Sequence, residues 1–362
     1  MQAPAGLLTD LASALLPLID ATLQRCRRSD GLFDSYNLVD LSAGSAEVQA
    51  LYPMLEGQVA LLGSGMLGPA DAVALLDALF ASPLYCPRRL SFLLYPDRPL
   101  PGFLQRNRLD AQALALPLVQ QLLAAGRTDL LQTQADGTVR FAPGMANSDD
   151  LQAAAADLGD ALPALVQTYE RVLQHHAFTG RSGTMFGFEG LGCIYWHMVA
   201  KLLLAVQEQV FAAADQHHPA LAALQAHYRR VRDGLGYRKT AAAYGAFPAD
   251  PYSHTPAEGG AQQPGMTGQV KEEILTRWGE LGLRCRAGRV WLQPVLLDHA
   301  ELPADGGALH FSWGGVPFRW RAGTATRLRI QTASGWLDCP ELNFSPQGVL
   351  AVEASIAPDT GS

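Results

Sequence analysis

Residues 234–273 read GLGYRKTAAAYGAFPADPYSHTPAEGGAQQPGMTGQVKEE. The stretch is 40 residues long, far beyond the ~4–6 that usually join two elements. A connection of that length inside a compact protein is either functional or disordered. Disorder fits poorly, because Tyr237, Tyr244, Phe247 and Tyr252 fall within it, and disordered segments are poor in aromatics. The composition predicts an ordered loop lining a polar cleft. Tyr244, Tyr252, His254, Gln262 and Gln263 are the side chains of a sugar-binding wall, and Asp250 and Glu258 are carboxylates placed within it. The plain alternative is an ordered structural loop whose polar groups serve its own backbone.

Outward from the loop the chain is helical. A helix over 217–233 precedes it and another over 267–281 follows. Upstream, RSGTMFGFEG (181–190) leads into an apolar helix spanning about 189–213, whose all-round hydrophobicity predicts burial. Glu189 opens that helix, either as a cleft carboxylate or as a first-turn acid serving the helix dipole. Trp196 on the same helix is a candidate substrate contact, whereas His197 beside it reads as a core histidine. Further helices are expected over 7–27, 46–62, 69–80, 111–125 and 147–176, with Pro17 and Pro163 as kinks or boundaries. Asp136-Gly137 between apolar residues predicts a hairpin turn.

After Gly282 the texture changes to short β-type runs: VWLQPVLL, ALHFSWGGVPFRWRAG, RLRIQTASGWLDC and GVLAVEASI. The expected fold class is therefore mainly α with a C-terminal β module. Residues 1–281 form helical hairpins in a toroid-like (α/α) array, and residues 282–362 form an antiparallel β-sandwich.

At 362 residues and 48% hydrophobic content the chain can bury a sizeable core. A net charge of -7 with scattered arginines argues against a nucleic-acid partner. Five dispersed cysteines without CxxC spacing fit neither a disulfide framework nor a zinc site, and suit a reducing, cytoplasmic location. No uninterrupted apolar run reaches ~18 residues, so no membrane partner is expected.

Paired carboxylates can cleave glycosidic bonds, because one is protonated while the other is ionised. Glu189, Asp250 and Glu258 are the candidate catalytic groups, with Glu272 and Glu273 behind them; a solvated face accounts for at least one of the last two. The pairs His175-His176 and His217-His218 lack the i, i+4 spacing of a helical metal site, so no metal is expected. GxSxG, Walker A and GxGxxG patterns are absent, and no cofactor is called for.

Three stretches then carry a resemblance: RSGTMFGFEGLGCIYWHMVAKLLLAVQE, YGAFPADPYSHTPAEGGAQQPGMTGQVKEEILTRWGELG and HFSWGGVPFRW. With DGLFDSYNL and LYPMLEGQVALL, they resemble the C-terminal part of large bacterial proteins of the glycoside-hydrolase or glycoside-phosphorylase type. Such proteins, of the glucoamylase and cellobiose-phosphorylase group, combine an (α/α)6 six-hairpin toroid with β-sandwiches. The resemblance implies an oligosaccharide substrate, with a non-catalytic glycan-binding or partner-binding module as the alternative. Two departures stand out. About eight helices are legible where a toroid needs twelve, and the tryptophan-asparagine-aspartate segment of the phosphorylases is absent. A second chain, or a missing N-terminal region, is expected to complete the toroid and cover the leucine-rich helix at 7–23.

Overall fold

The computed structural model describes residues 6–41, 45–97, 103–145, 147–173, 193–235, 254–256 and 267–358. The chain divides into two compact units, Met1–Pro96 with Gly192–Ser362, and Asp97–Leu191.

The first unit opens with α1 (Leu7–Arg25), the ribbon β1 (Asn37–Asp40) and β2 (Glu47–Ala50), then α2 (Leu55–Gly63), α3 (Pro69–Ala81), β3 (Tyr85–Cys86) and β4 (Ser91–Phe92). Pro17 stays inside α1 and does not divide it. The helix expected over 46–62 is shorter than its pattern: Glu47–Ala50 pairs with Asn37–Asp40, and α2 begins only at Leu55. Pro53 accounts for this, since the ring disfavours helix at the preceding residue. α3 carries Pro69 at its start and Asp71 in its first turn, where a missing N–H costs nothing and a negative charge suits the dipole.

The second unit contains α4 (Phe103–Arg106), α5 (Ala111–Leu114), α6 (Pro117–Ala124), β5 (Leu131–Thr133), β6 (Val139–Phe141), α7 (Ser148–Ala154) and α8 (Leu162–Leu173). β5 and β6 form a hairpin whose turn holds Gly137 at φ 82°. The helix expected over 111–125 is split because Leu116 is extended before Pro117. The one expected over 147–176 breaks at Gly159 (φ 52°), while Pro163 sits harmlessly in the first turn of α8. Leu122, Leu131, Phe141, Leu165 and Tyr169 belong to a core confined to this unit.

The first unit resumes with β7 (Cys193–Tyr195), α9 (Trp196–Asp215), α10 (Leu221–Gly234), β8 (His254–Pro256) and α11 (Thr267–Glu280). α9 is its central rod, contacting α2, α3, α10 and α11, with Trp196, Leu202, Leu203, Val206 and Val210 fully buried. Two buried amides lock the neighbours to it. Gln207 Nε2 donates to the Thr276 carbonyl at 2.8 Å, and Gln209 Nε2 to the Leu62 carbonyl at 2.7 Å. At Gly279 a Cβ would run into the Gln207 side-chain amide, so the glycine leaves room for that amide between α9 and α11.

The C-terminal strands are β9 (Leu283–Arg286), β10 (Arg289–Leu292), β11 (Leu309–Trp313), β12 (Val316–Ala322), β13 (Arg327–Thr332), β14 (Gly335–Asp338), β15 (Asn343–Phe344) and β16 (Ala351–Ile356). They make a three-stranded sheet, β15-β10-β9, and a five-stranded one, β11-β12-β16-β13-β14. The larger sheet is mixed, not antiparallel as expected. β16 inserts between β12 and β13, and so runs parallel to the first and antiparallel to the second. Its alternation is clean: Phe318, Trp320, Leu328, Val352, Ala354 and Ile356 face a core shared with Leu281, Leu283 and Val290. Trp278 of α11 packs on that core, and Trp320 Nε1 donates to the Leu281 carbonyl at 2.8 Å. The strands belong to the same compact unit as α1–α3 and α9–α11. The described architecture is mixed α/β, with eleven α-helices and a strand-built C-terminal region.

Candidate functional site

The long loop meets the helical core at one described point. β8 pairs antiparallel with β7, in register Cys193↔Pro256, Ile194↔Thr255 and Tyr195↔His254. Ile194 is fully buried, which anchors this ladder in the main core. The backbone of loop residue His254 therefore lies beside Tyr195, immediately before α9. Glu189, Tyr244, Asp250, Tyr252, Glu258, Gln262 and Gln263 lie outside the described residues, and so does the 181–189 segment. Trp196 is fully buried among core residues, so its ring lines no open surface.

Around the start of α9 the described side chains assemble a polar cluster. The Tyr195 hydroxyl is 3.4 Å from His197 Nδ1, and the two rings meet edge to face at 5.8 Å. On the other side of the imidazole, Nε2 lies 3.8 Å from Glu272 Oε1, too far for a hydrogen bond. Nε2 is buried with no hydrogen-bond partner among the described residues. One turn away along α11, Gln269 Oε1 is buried and equally unpartnered, while its Nε2 reaches Glu273 Oε1 at 3.2 Å. Glu272 is 4% exposed and keeps one ion pair, to Lys271 Nζ at 3.3 Å. It is the inward member of the Glu272-Glu273 pair.

Burial, and then the charge of Lys201, lower the pKa of His197, outweighing the opposite pull of Glu272. The imidazole is accordingly neutral near pH 7. Two turns beyond Lys201, desolvation and the charge of Glu272 raise the carboxyl of Glu208 above its ordinary value.

Lys201 lies one turn after His197 on α9, and it lines a recess of about 330 Å³ with Ser35, Tyr36, Glu56, Gly57 and Met198. The Tyr36 hydroxyl donates to Glu56 Oε2 at 3.3 Å, and the Tyr36 ring is 59% exposed. Glu56's charge, followed by burial, raises the Tyr36 pKa. An exposed aromatic face beside a carboxylate and an ammonium suits a polyhydroxylated ligand, which needs a stacking surface and several hydrogen-bonding groups.

Sequence reasoning named Glu272 but set His197 aside as structural, and it missed Glu56 and Lys201. The i, i+4 spacing of His197 and Lys201 was the available signal for one shared helix face. Tyr36 and Glu56 lie in two of the stretches that carry the resemblance, DGLFDSYNL and LYPMLEGQVALL, but nothing in their spacing ties residues 36 and 56 to position 201. Among the described residues no cluster could hold a metal ion, and Cys26, Cys86, Cys285 and Cys339 are free thiols.

Fold and site describe a mixed α/β protein with a polar recess beside its central helix and a separate unit with its own core. That separate unit is where a known family is found. Residues 100–176 match the model of the GH149 phosphorylase insertion domain 2. The match supports a carbohydrate-active, glycoside-phosphorylase-like protein, with which an oligosaccharide ligand is compatible. No curated protein matches the chain.

Proposed function

We propose that the chain acts in glycoside phosphorolysis, with an oligosaccharide bound where the 234–273 loop meets the start of α9. The observation that carries this reading is the match of residues 100–176 to the phosphorylase insertion-domain model, which falls within the unit Asp97–Leu191. In phosphorolysis the bond from the anomeric carbon to the bridging oxygen breaks, and a phosphate oxygen forms the new bond to that carbon. A proton must reach the departing oxygen, and the products are a sugar 1-phosphate and a saccharide shortened by one unit. Glu189, Asp250 and Glu258 are the proposed carboxylates of the cleft, and Tyr244, Tyr252, His254, Gln262 and Gln263 its saccharide-binding wall. Tyr36 offers a ring for a sugar to stack on. His197 Nε2 and Gln269 Oε1, which have no hydrogen-bond partner among the described residues, offer hydrogen bonds to sugar hydroxyls. The finer architecture proposed is a toroid-like helical array followed by a β-sandwich.

The test is incubation with a panel of oligosaccharides, with and without inorganic phosphate, followed by assay for sugar 1-phosphate. Phosphate-dependent release is expected, as is the reverse synthesis from sugar 1-phosphate. Free sugar released equally without phosphate would make the chain a hydrolase. Saccharide binding without turnover would leave a glycan-binding module.

A further inference from the structure

The outward face of the five-stranded sheet carries a concentration of arginine that the packing does not use. Strand alternation sends Arg319 and Arg321 of β12, and Arg327 and Arg329 of β13, to the same side, away from Phe318, Trp320 and Leu328. The register sorts them into two rows across the intervening β16. In the first, Arg319 and Arg329 both flank Glu353. Glu353 accepts from Arg319 Nη1 through Oε1 at 3.2 Å and from Arg329 Nε through Oε2 at 3.0 Å. Desolvation pushes its carboxyl up, but the hydrogen bonds and charges of Arg329 and Arg319 win and hold it below the ordinary range. Arg329 is also braced over the Trp336 ring at 4.6 Å. This row is internally satisfied.

The second row is not. Arg321 and Arg327 both flank Ser355, a short neutral side chain whose hydroxyl donates to the Ala325 carbonyl at 2.9 Å. Neither guanidinium has a hydrogen-bond or ion-pair partner among the described residues. Neighbouring strands lie ~4.8 Å apart, so these two arginines rise from backbones roughly 10 Å apart with the floor between them clear. Arginine side chains are long enough for both forks to meet above Ser355. The recess they border has a volume of about 270 Å³. Its charged lining is four guanidinium groups against two carboxylates, Glu353 and Asp338, an excess of two positive charges on a chain whose net charge is -7. Like charges this close repel one another, and a dianion relieves that repulsion. Planar forks with paired donors match the oxygens of phosphate two at a time.

We propose that this recess binds a tetrahedral oxyanion, inorganic phosphate or the phosphate of a phosphorylated sugar, held between Arg321 and Arg327 above Ser355. The site stands on the geometry of the sheet and not on the phosphorolytic reading, so its test is binding and not turnover.

Isothermal titration of the full chain with inorganic phosphate, sulfate, glucose 6-phosphate and glucuronate reads it directly. The expected result is a phosphate-binding component weakened about tenfold or more by Arg321→Ala with Arg327→Ala, and untouched by Arg25→Ala. Sulfate is expected to compete with phosphate. A second variant, Ser355→Glu, places a carboxylate between the two arginines and is expected to abolish binding while retaining or raising the thermal midpoint. Glucose 6-phosphate binding as well as phosphate identifies a sugar-phosphate site, and phosphate alone identifies an inorganic-ion site; both support the proposal. Isotherms indistinguishable between wild type and the double variant, or a preference for glucuronate over phosphate, would overturn it.

Discussion

His197 Nε2 and Glu272 Oε1 face each other across 3.8 Å, with the nitrogen buried and without a hydrogen-bond partner among the described residues. The separation exceeds a hydrogen bond, so the imidazole is held neutral by its burial and not recruited as the carboxylate's cation. The pair joins α9 to α11 at the same place where β7 meets β8. A ligand that bridged the gap would tie the long loop to the helical core through side chains as well as backbone.

The protonation of His197 sets a pH signature. Burial, then Lys201, lower its folded pKa against the pull of Glu272, with Lys271 adding to the lowering. His227 shifts the same way, chiefly by burial, against the pull of Asp77. Below about pH 6.5 the unfolded chain takes up protons that the native histidines refuse. Stability is therefore full above that pH and declines as pH falls toward the folded pKa values. Glu208, whose carboxyl is raised, works in the opposite sense at the acidic end. Thermal midpoints measured from pH 7 to pH 5 are expected to fall less steeply in His197→Asn than in the wild type. Parallel curves for the two proteins would refute the burial argument.

Glu280 anchors a second network, and its role is structural. It accepts from the Tyr228 hydroxyl at 2.9 Å, from Arg232 Nε at 2.8 Å and from Arg277 Nη1 at 3.1 Å. Arg277 also pairs with Glu301. Removing the carboxylate takes a partner from a buried hydroxyl and from two guanidinium groups, of which Arg277 keeps Glu301. Glu280→Ala is expected to cost about 2–4 kcal/mol, the range for breaking a buried pair discounted for the partial exposure of Arg277. Tyr228→Phe removes the hydroxyl's bond to Glu280 and the one it accepts from Gln207 Nε2 at 3.3 Å, and costs about 1–2 kcal/mol. Urea unfolding measures both, and a smaller loss for Glu280→Ala than for Tyr228→Phe would contradict the network.

Residues 97–191 are expected to fold by themselves. Their core includes Leu122, Leu131, Leu151, Leu165 and Tyr169, and Phe141 meets Tyr169 edge to face with centroids 5.0 Å apart. The polar groups are met internally too: Asn107 Nδ2 donates to the Phe141 carbonyl, and the Phe141 amide donates back to Asn107 Oδ1, both at 2.9 Å. The excised segment is predicted to show a cooperative thermal transition by circular dichroism. Phe141→Ala is expected to destabilise it by about 3–5 kcal/mol. A gradual, non-cooperative melt would mean that this core depends on the rest of the chain.

That unit shows where sequence reading stops. Its helical stretches within 111–125 and 147–176, though not their breaks at Leu116 and Gly159, and the Asp136-Gly137 turn were legible from periodicity and turn chemistry, because those signals are local. Its independence was not, because separateness is a property of contacts, and no linker composition marks residues 97 or 191. The C-terminal strands were legible in the same local way. The order β11-β12-β16-β13-β14 was not, since nothing within β16 announces which two strands it will enter between. Lys201 and Glu56 come together through the packing of α2 on α9, and only His197 and Lys201 were neighbours by spacing.

The last prediction concerns α1. At 100° per residue, Leu7, Leu8, Leu11, Leu15, Leu16, Leu18 and Ile19 fall within one half of the helix circumference, opposite Asp10, Ser13 and Asp20. Each of the seven is between 45% and 75% exposed, and no residue of the helix is buried. Leu23 and Cys26 at its far end pack against the main core and hold the helix to the unit. By length and composition α1 is also the one helix among the described residues that could cross a membrane. Its other half carries two aspartates near the middle, which disfavours an anionic bilayer surface. An apolar stripe of this extent is more than a monomer ordinarily leaves in water. Light scattering coupled to size exclusion is therefore expected to show a mass that rises with protein concentration. Leu8→Gln, Leu15→Gln and Leu18→Gln together should suppress that rise. The thermal midpoint should barely move, because exposed side chains far from the core contribute within about 0.5 kcal/mol each. A wild-type chain that stays monomeric at every concentration would show that the stripe has no tendency to associate. A triple variant that unfolds would show that these leucines are packed after all.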